Sequence, residues 1–383
     1  MVTEAVSSRR RRKSTGWLLC RAIARTSVRY VTDEQESSAV HAVPPTLRDA
    51  LRVLRPLVGA SAADAGARAM PLERLAMRSD PPTVADCTML EPPGARAISL
   101  QDGTTSGVAG FLDGVQRSRV IAHLHGSPIV FASVAAAIRV RRNRRLESWE
   151  APLVRRALYG SRAQLGESEW TTLAAANVPL VDITDGQRPE DVPAHPHALR
   201  ARALELVGAE REVLERQLAT RWCRSESGWL WIDGGISGNL AIDVHTPAFG
   251  VVKSHTTMYG TSSDVQAVLA LREAERSPVF LIAHRRRRAV ASWYLRLRTA
   301  PSGDPLHGLV RVELAPPPAL LDPQDSAQEA VAAELAPFSA RCDRLSAWVL
   351  AERAPLSLPD SRWDTLTYGV HACEMYLDAV VGY

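Results

Sequence analysis

The sequence predicts an α/β fold: a mixed sheet flanked by helices, preceded by a largely irregular or helical N-terminal extension. Three observations carry this reading. Short apolar runs recur at 108–112, 229–232, 249–252 and 279–283, the first two closed by Asp-Gly, the pattern of buried strands. The stretch 197–221 sets Leu199, Leu204, Val207, Val213, Leu214 and Leu218 on one helical stripe. Between residues 46 and 97, only 46–58 keeps a helical period.

The totals fit a soluble globular protein. The chain has 383 residues, 46% hydrophobic and 23% charged, enough for one large or two ordinary domains. Its net charge of +4 is modest, but the positive charge is clustered at 9–13, 139–145 (RVRRNRR) and 285–288. Arg139, Arg141, Arg142, Arg285, Arg286, Arg287 and Arg288 are therefore candidates to meet a nucleic-acid backbone, with a solvated face or a subunit interface as the alternative. The 5 cysteines are scattered without CxxC spacing, which excludes a zinc ribbon and points to reduced thiols and a cytoplasmic location. No apolar run approaches the length of a membrane span. The opening SSRRRRKSTGWLLCRAIA has a twin arginine, but its apolar part is short and cut by Arg21 and Arg25, so no signal peptide is expected.

In chain order, residues 1–45 read as a flexible arm, basic and then acidic, with one short helix over 16–31. Residues 46–97 form the extension: a helix over 46–58 with Thr46 as N-cap, then an Ala- and Pro-rich covering segment. A third unit spans 98–383. Its start is an antiparallel meander, with short strands at 108–112, 119–124 and 129–138 and Asp113-Gly114 closing the first. The helix 197–221 carries several glutamates. Glu215 borders its buried stripe and is the first choice to face the sheet, with Glu212 and Glu205 behind it. The strand WLWI then runs into Asp233, breaks on Gly234 and Gly235, and a second apolar run ends on Lys253. Beyond it the pattern predicts a helix over 264–275 and a strand over 279–283. A hairpin of 292–298 and 309–314 with one arginine-bearing face follows, then helix within 326–352 and a closing helix within 361–381 that carries Tyr368, His371 and Glu374.

Asp-Gly is a common turn pair, and Asp102 and Asp185 belong to two more. Asp113 and Asp233 differ because each sits directly on an apolar run, which places two carboxylates at a sheet rim. Lys253 stands out as well, because Lys13 is the only other lysine in the chain. Retaining lysine where arginine is the rule suggests that a compact ammonium is required there. Two aspartates, a helix glutamate and a late histidine make a set of mostly hard oxygen donors, suited to Mg²⁺ or Mn²⁺ rather than zinc. No Walker A loop, strand-linked GxGxxG or GxSxG elbow is present, which argues against a nucleotide-driven motor, a dinucleotide-binding dehydrogenase and an α/β-hydrolase.

The order FLDGVQ, glutamate-bearing helix, WLWIDGG, FGVVKSH and TYGVHACEMY resembles the NurA nuclease family from about residue 98 to the C-terminus. The resemblance implies a ribonuclease H-like fold and Mn²⁺- or Mg²⁺-dependent cleavage at DNA ends. It also implies a homodimer working with a HerA-type hexameric ATPase in end resection or phage defence. Carried onto this sequence, it implies Asp113, Glu215, Asp233 and His371 as metal ligands and, with Lys253, as the catalytic set. The alternatives are another ribonuclease H-like nuclease, or a non-catalytic DNA-binding or motor-docking subunit of the same fold.

Overall fold

The computed structural model describes residues 44–59, 72, 81–100, 105–143, 145–175, 177–283, 287–299, 303–323, 327–353, 365 and 367–382. Most of the expected arm, with its helix over 16–31, lies outside the described residues, as do Asp102, Arg285 and Arg286. Helix α1 (Leu47–Val58) starts where expected, at Thr46, which forms a reciprocal capping box with Asp49. Three short strands follow, β1 (Thr83–Ala85), β2 (Thr88–Met89) and β3 (Arg96–Ala97).

The centre of the sheet is a long hairpin of β4 (Val108–Leu124) and β5 (Ser127–Arg142). The expected meander of short strands is corrected here. Asp113-Gly114 is no turn but lies inside β4, because β5 pairs with it from Gly110 onward and matches Asp113 to Ala137. The chain reverses instead at His125-Gly126, both with positive φ. Next come β6 (Arg145–Ser148), β7 (Leu153–Gly160), the short helices α2 (Arg162–Leu165) and α3 (Glu167–Ala174), and β8 (Leu180–Asp182). The Asp185 pair follows β8 directly and is a turn. Helix α4 (Pro196–Ser225), opened by Pro196 in its first turn, is longer at both ends than its apolar stripe predicts.

Strands β9 (Trp229–Asp233) and β10 (Ala248–Val252) are parallel to each other, and β9 is parallel to β4. The remaining elements are β11 (Thr257–Tyr259), α5 (Ser262–Leu269), β12 (Glu275–Arg276), β13 (Phe280–Ile282), β14 (Val290–Arg296), β15 (Leu309–Leu314), α6 (Gln328–Ala351) and α7 (Tyr368–Val381). Among the described residues the sheet runs β2-β13-β14-β15-β10-β9-β4-β5-β7-β8, with mixed strand directions.

Helices cover both faces. On one, Leu199, Val207, Leu214, Leu218 and Trp222 of α4 pack against Leu112, Val134, Ala136 and Ile138. On the other, α6 packs on Phe111, Trp231, Phe249 and Trp293, and α7 on Val115, Ala135 and Ala137. Strand alternation accounts for this sorting in the middle of the hairpin, since Leu112, Val134, Ala136 and Ile138 are even-numbered and meet α4, while Phe111, Val115, Ala135 and Ala137 are odd-numbered and meet α6 or α7.

The expected arginine-bearing face of the β14–β15 hairpin is also corrected. Arg296, Arg298 and Arg311 are buried at 3%, 8% and 8% exposure. Arg296 donates to the carbonyls of Leu269, Leu271 and His307, and Arg311 pairs with Glu313 at 2.5 Å. A guanidinium carries five donors, so it can enter the interior when fixed carbonyls and a carboxylate meet them. The covering segment before residue 98 supplies sheet edge rather than loose cover. β1 pairs with β11, β2 with β13 and β3 with β12, and Glu91 grips fully buried Arg276 through two bonds of 2.7 and 2.9 Å. No described helix is long and apolar enough to cross a membrane.

Candidate functional site

Asp233 closes β9 because the chain cannot continue straight. Gly234 takes φ +131° and bonds Val251, and Gly250 must lack a side chain because Gly234's carbonyl fills the space where Cβ would stand. Buried Glu313 accepts from the Ile236 amide at 2.8 Å and pins the loop. Asp233 is thereby held at a sheet rim, as its sequence context predicts.

Lys253, immediately after β10, places its ammonium 2.9 Å from Asp233 Oδ1. The two side chains that frame the glycine-rich stretch therefore meet directly. Asp113 lies on the neighbouring strand, one step beyond the Leu112–Ile232 pair. Its Oδ1 accepts from the Gly114 amide at 2.7 Å. Burial, then the negative charge of Asp233, drives the Asp113 carboxyl well above the usual carboxylate range, while Lys253 pulls it back and Glu215 adds to the rise.

Glu215 approaches β4 beside Gly114, on the sheet face that α4 covers. A Cβ on Gly114 would collide with its carboxylate, so the glycine of Asp113-Gly114 serves as the gap through which Glu215 meets the sheet. Arg211 fixes it, with Nη1 3.3 Å from Glu215 Oε1 and donating to the Gly114 carbonyl at 3.3 Å. Burial raises the Glu215 carboxyl to about 7; Arg211 opposes this, and Glu212 and Asp233 add to it. Of the three glutamates considered, Glu212 lines the pocket and pairs with Arg216, whereas Glu205 is exposed and pairs with Arg202.

Glu215 and Asp233 line one cavity of about 160 Å³, together with Arg211, Glu212, Arg216 and Arg287. Each acid has a buried oxygen, Oε1 and Oδ1, that makes no hydrogen bond of sound geometry despite its ion pair. These are hard donors with capacity to spare, and their chemistry fits a divalent cation. Among the described residues, however, no group of three or more His, Cys, Asp or Glu side chains converges as a ready-made metal site.

His371 stands apart from the three acids in its contacts. It sits on α7, with buried Nδ1 unbonded and 4.0 Å from a Glu374 oxygen. Cys373 of α7 touches the Asp113 region: its thiol donates to the Ala137 carbonyl at 3.4 Å, opposite Asp113 in register. Burial and the charge of Asp113 push that thiol well up. Cys373 and Arg211 were not singled out in the sequence. For Arg211 a signal existed, its spacing of four residues before Glu215 on a helix.

The expected nucleic-acid arginines divide. Arg139 stacks over Tyr376 at 4.6 Å and bonds Ser148, and Arg141 forms a fork to buried Glu352 with two bonds of 2.7 Å. Both are odd-numbered in β5 and are turned to the α6 and α7 face. Arg142 and Arg287 remain exposed, and exposed Arg288 donates to the Ile242 carbonyl at 2.7 Å. No protein-family model matches the chain, and no curated protein matches it.

Proposed function

We propose that the protein is a metal-dependent phosphodiester hydrolase, a nuclease of ribonuclease H-like fold acting on DNA ends. The observation that carries this is that Glu215 and Asp233, from a helix and a strand, line one cavity with an orphaned buried oxygen each, while Asp113 on the neighbouring parallel strand lies near enough for both charges to raise its carboxyl. The strand order β7-β5-β4-β9-β10, antiparallel in its first three and parallel through β4, β9 and β10, supports the same fold reading.

In this reading Asp113, Glu215 and Asp233 would hold Mg²⁺ or Mn²⁺, with His371 of α7, which stands apart from them in its contacts, as the fourth ligand of the proposal. When bound, the ion would supply activation of the attacking water and stabilisation of the leaving oxygen. Gly114 and Arg211 hold Glu215 at the sheet, which keeps one carboxylate fixed while the others bind. Lys253 neutralises Asp233 in the resting chain and, having three rotatable donors, turns to a phosphate oxygen when the acid is engaged elsewhere. A HerA-type hexameric translocase feeding DNA to a homodimer of this chain completes the proposal.

The deciding measurement is cleavage of end-labelled single- and double-stranded DNA with Mn²⁺, Mg²⁺ or EDTA. Cutting is expected only with metal, and Asp233→Asn is expected to lower it by at least about a hundredfold. Cutting that persists in Asp233→Asn refutes the site. A second reading, a non-catalytic docking subunit, is favoured by one observation: Lys253 already occupies Asp233 and the donors do not converge. Absence of cutting with either metal, both alone and with a HerA-type ATPase, would select it.

A further inference from the structure

We infer that the groove along α4 is the track by which an unpaired nucleic-acid strand enters the carboxylate pocket, an inference that rests on the phosphodiester-cleavage reading. The groove, about 1000 Å³, runs between α4, the start of β7 and the loop 238–241. It is continuous with the pocket, since Arg216, Gly238 and Asn239 line both.

Arg155, Arg216, Arg221 and Arg224 line it; Arg155 is paired with Glu210 and Arg221 with Glu150 at 2.9 Å, so Arg216 and Arg224 are the charges offered to a ligand. Arg216 and Arg224 lie at i and i+8 on one stripe of α4, roughly 12 Å apart along the helix axis, so they can meet separate phosphates. Arg216 has only a 3.5 Å contact to Glu212 and is 40% exposed, and Arg224 is exposed. The opposite wall carries Leu240, 74% exposed beside these charges, an apolar surface for the face of a base.

Recession of the acids selects an unpaired strand. The Glu215 and Asp233 side chains are 15% and 23% exposed, and the cavity above them is about 160 Å³. A duplex is a stiff cylinder whose phosphates sit on its convex outside, so it cannot bend a phosphate into such a recess without unpairing. A single strand can, while its neighbouring phosphates lie on the arginines.

The test measures binding without cleavage. Labelled oligothymidylate, oligouridylate and a blunt duplex are titrated in EDTA against Asp233→Asn protein, across a salt series, by fluorescence anisotropy. Adding Arg216→Ala and Arg224→Ala is expected to weaken single-strand binding at least tenfold and to flatten the slope of log K against log salt by about 1–2. The same pair of changes on the α1 arginines Arg48 and Arg52, at the far end of β4, is expected to leave both quantities unchanged. Loss on the deoxy strand, the ribo strand or both supports the track. Unchanged affinity, an equal loss in the α1 variant, tighter binding of the duplex than of both strands, or no binding at all overturns it. Because no metal is present, a chain that binds along the groove but never cleaves would sink the nuclease reading and leave the track standing.

Discussion

At the residue scale, the candidate site is a problem of stacked negative charge. Asp113 and Glu215 are both pushed toward their protonated forms, chiefly by burial, and Lys253 offsets part of the burden at Asp233. For Glu215 the consequence for stability has a definite sign. Its carboxyl is raised from 4.5 to about 7 on folding, so between those values the native chain holds a proton that the unfolded chain has released. Stability from this group is therefore intact below pH 4.5 and lost as pH rises toward 7. Glu215→Gln, melted in EDTA, is expected to match the parent near pH 4 and to exceed it above pH 7 by up to about 3 kcal/mol. A stability difference that stays flat with pH would show that the acid is solvated. The residue types at this candidate site are legible in the sequence: apolar runs that end in charge point to Asp113, Asp233 and Lys253. Glu215 was one of three choices, and only its fit into the space above Gly114 separates it from Glu212 and Glu205.

At the scale of elements, the segment carrying β2 and β3 illustrates what a weak sequence signal conceals. It has no useful period, yet Glu91 bonds Arg276, Ser339 and the Val279 amide, and Arg276 also bonds Asp343 on α6. Three separate stretches are tied by one fully buried guanidinium. Glu91→Ala leaves that charge with an incomplete shell, and is expected to cost about 3–5 kcal/mol in denaturant unfolding. Glu91→Gln should cost less. A loss below about 1 kcal/mol would mean that Asp343 and Ser339 suffice. Burial of the hairpin arginines follows the same physics, since alternation indicates which residues share a face but not whether carbonyls await them on it.

For the whole molecule, one sheet joins what the sequence presented as separate pieces. The five strands from β7 to β10 hold the acids, and β15, β14 and β13 extend the sheet beyond β10 through the antiparallel β10–β15 pairing. Acids drawn from two strands and a helix that are distant in the chain come within reach of one another's charge only when the sheet and α4 are assembled. Binding of a dication there should therefore report as global stability. At pH 8, Mn²⁺ or Mg²⁺ at a hundred times its Kd is expected to stabilise the fold by about 2.7 kcal/mol and to flatten the pH dependence assigned to Glu215. Equal melting with metal and with EDTA, in parent and Asp233→Asn alike, would remove the metal from the site.

The sequence by itself determined the α/β class, the capped helix at Thr46, the long helix before β9 and the carboxylate–lysine edge around Asp233. These follow from local rules: apolar period, capping chemistry and glycine breaks act over a few residues. Tertiary structure alone decided that Asp113-Gly114 lies within a strand, that its glycine is the opening for Glu215, and that Arg139, Arg141, Arg296 and Arg311 are engaged within the protein rather than free. Whether a glycine is a turn or a gap, and whether an arginine is free or paired, depends on what packs opposite it. Those partners come from stretches far apart in the chain, and no local pattern encodes their meeting.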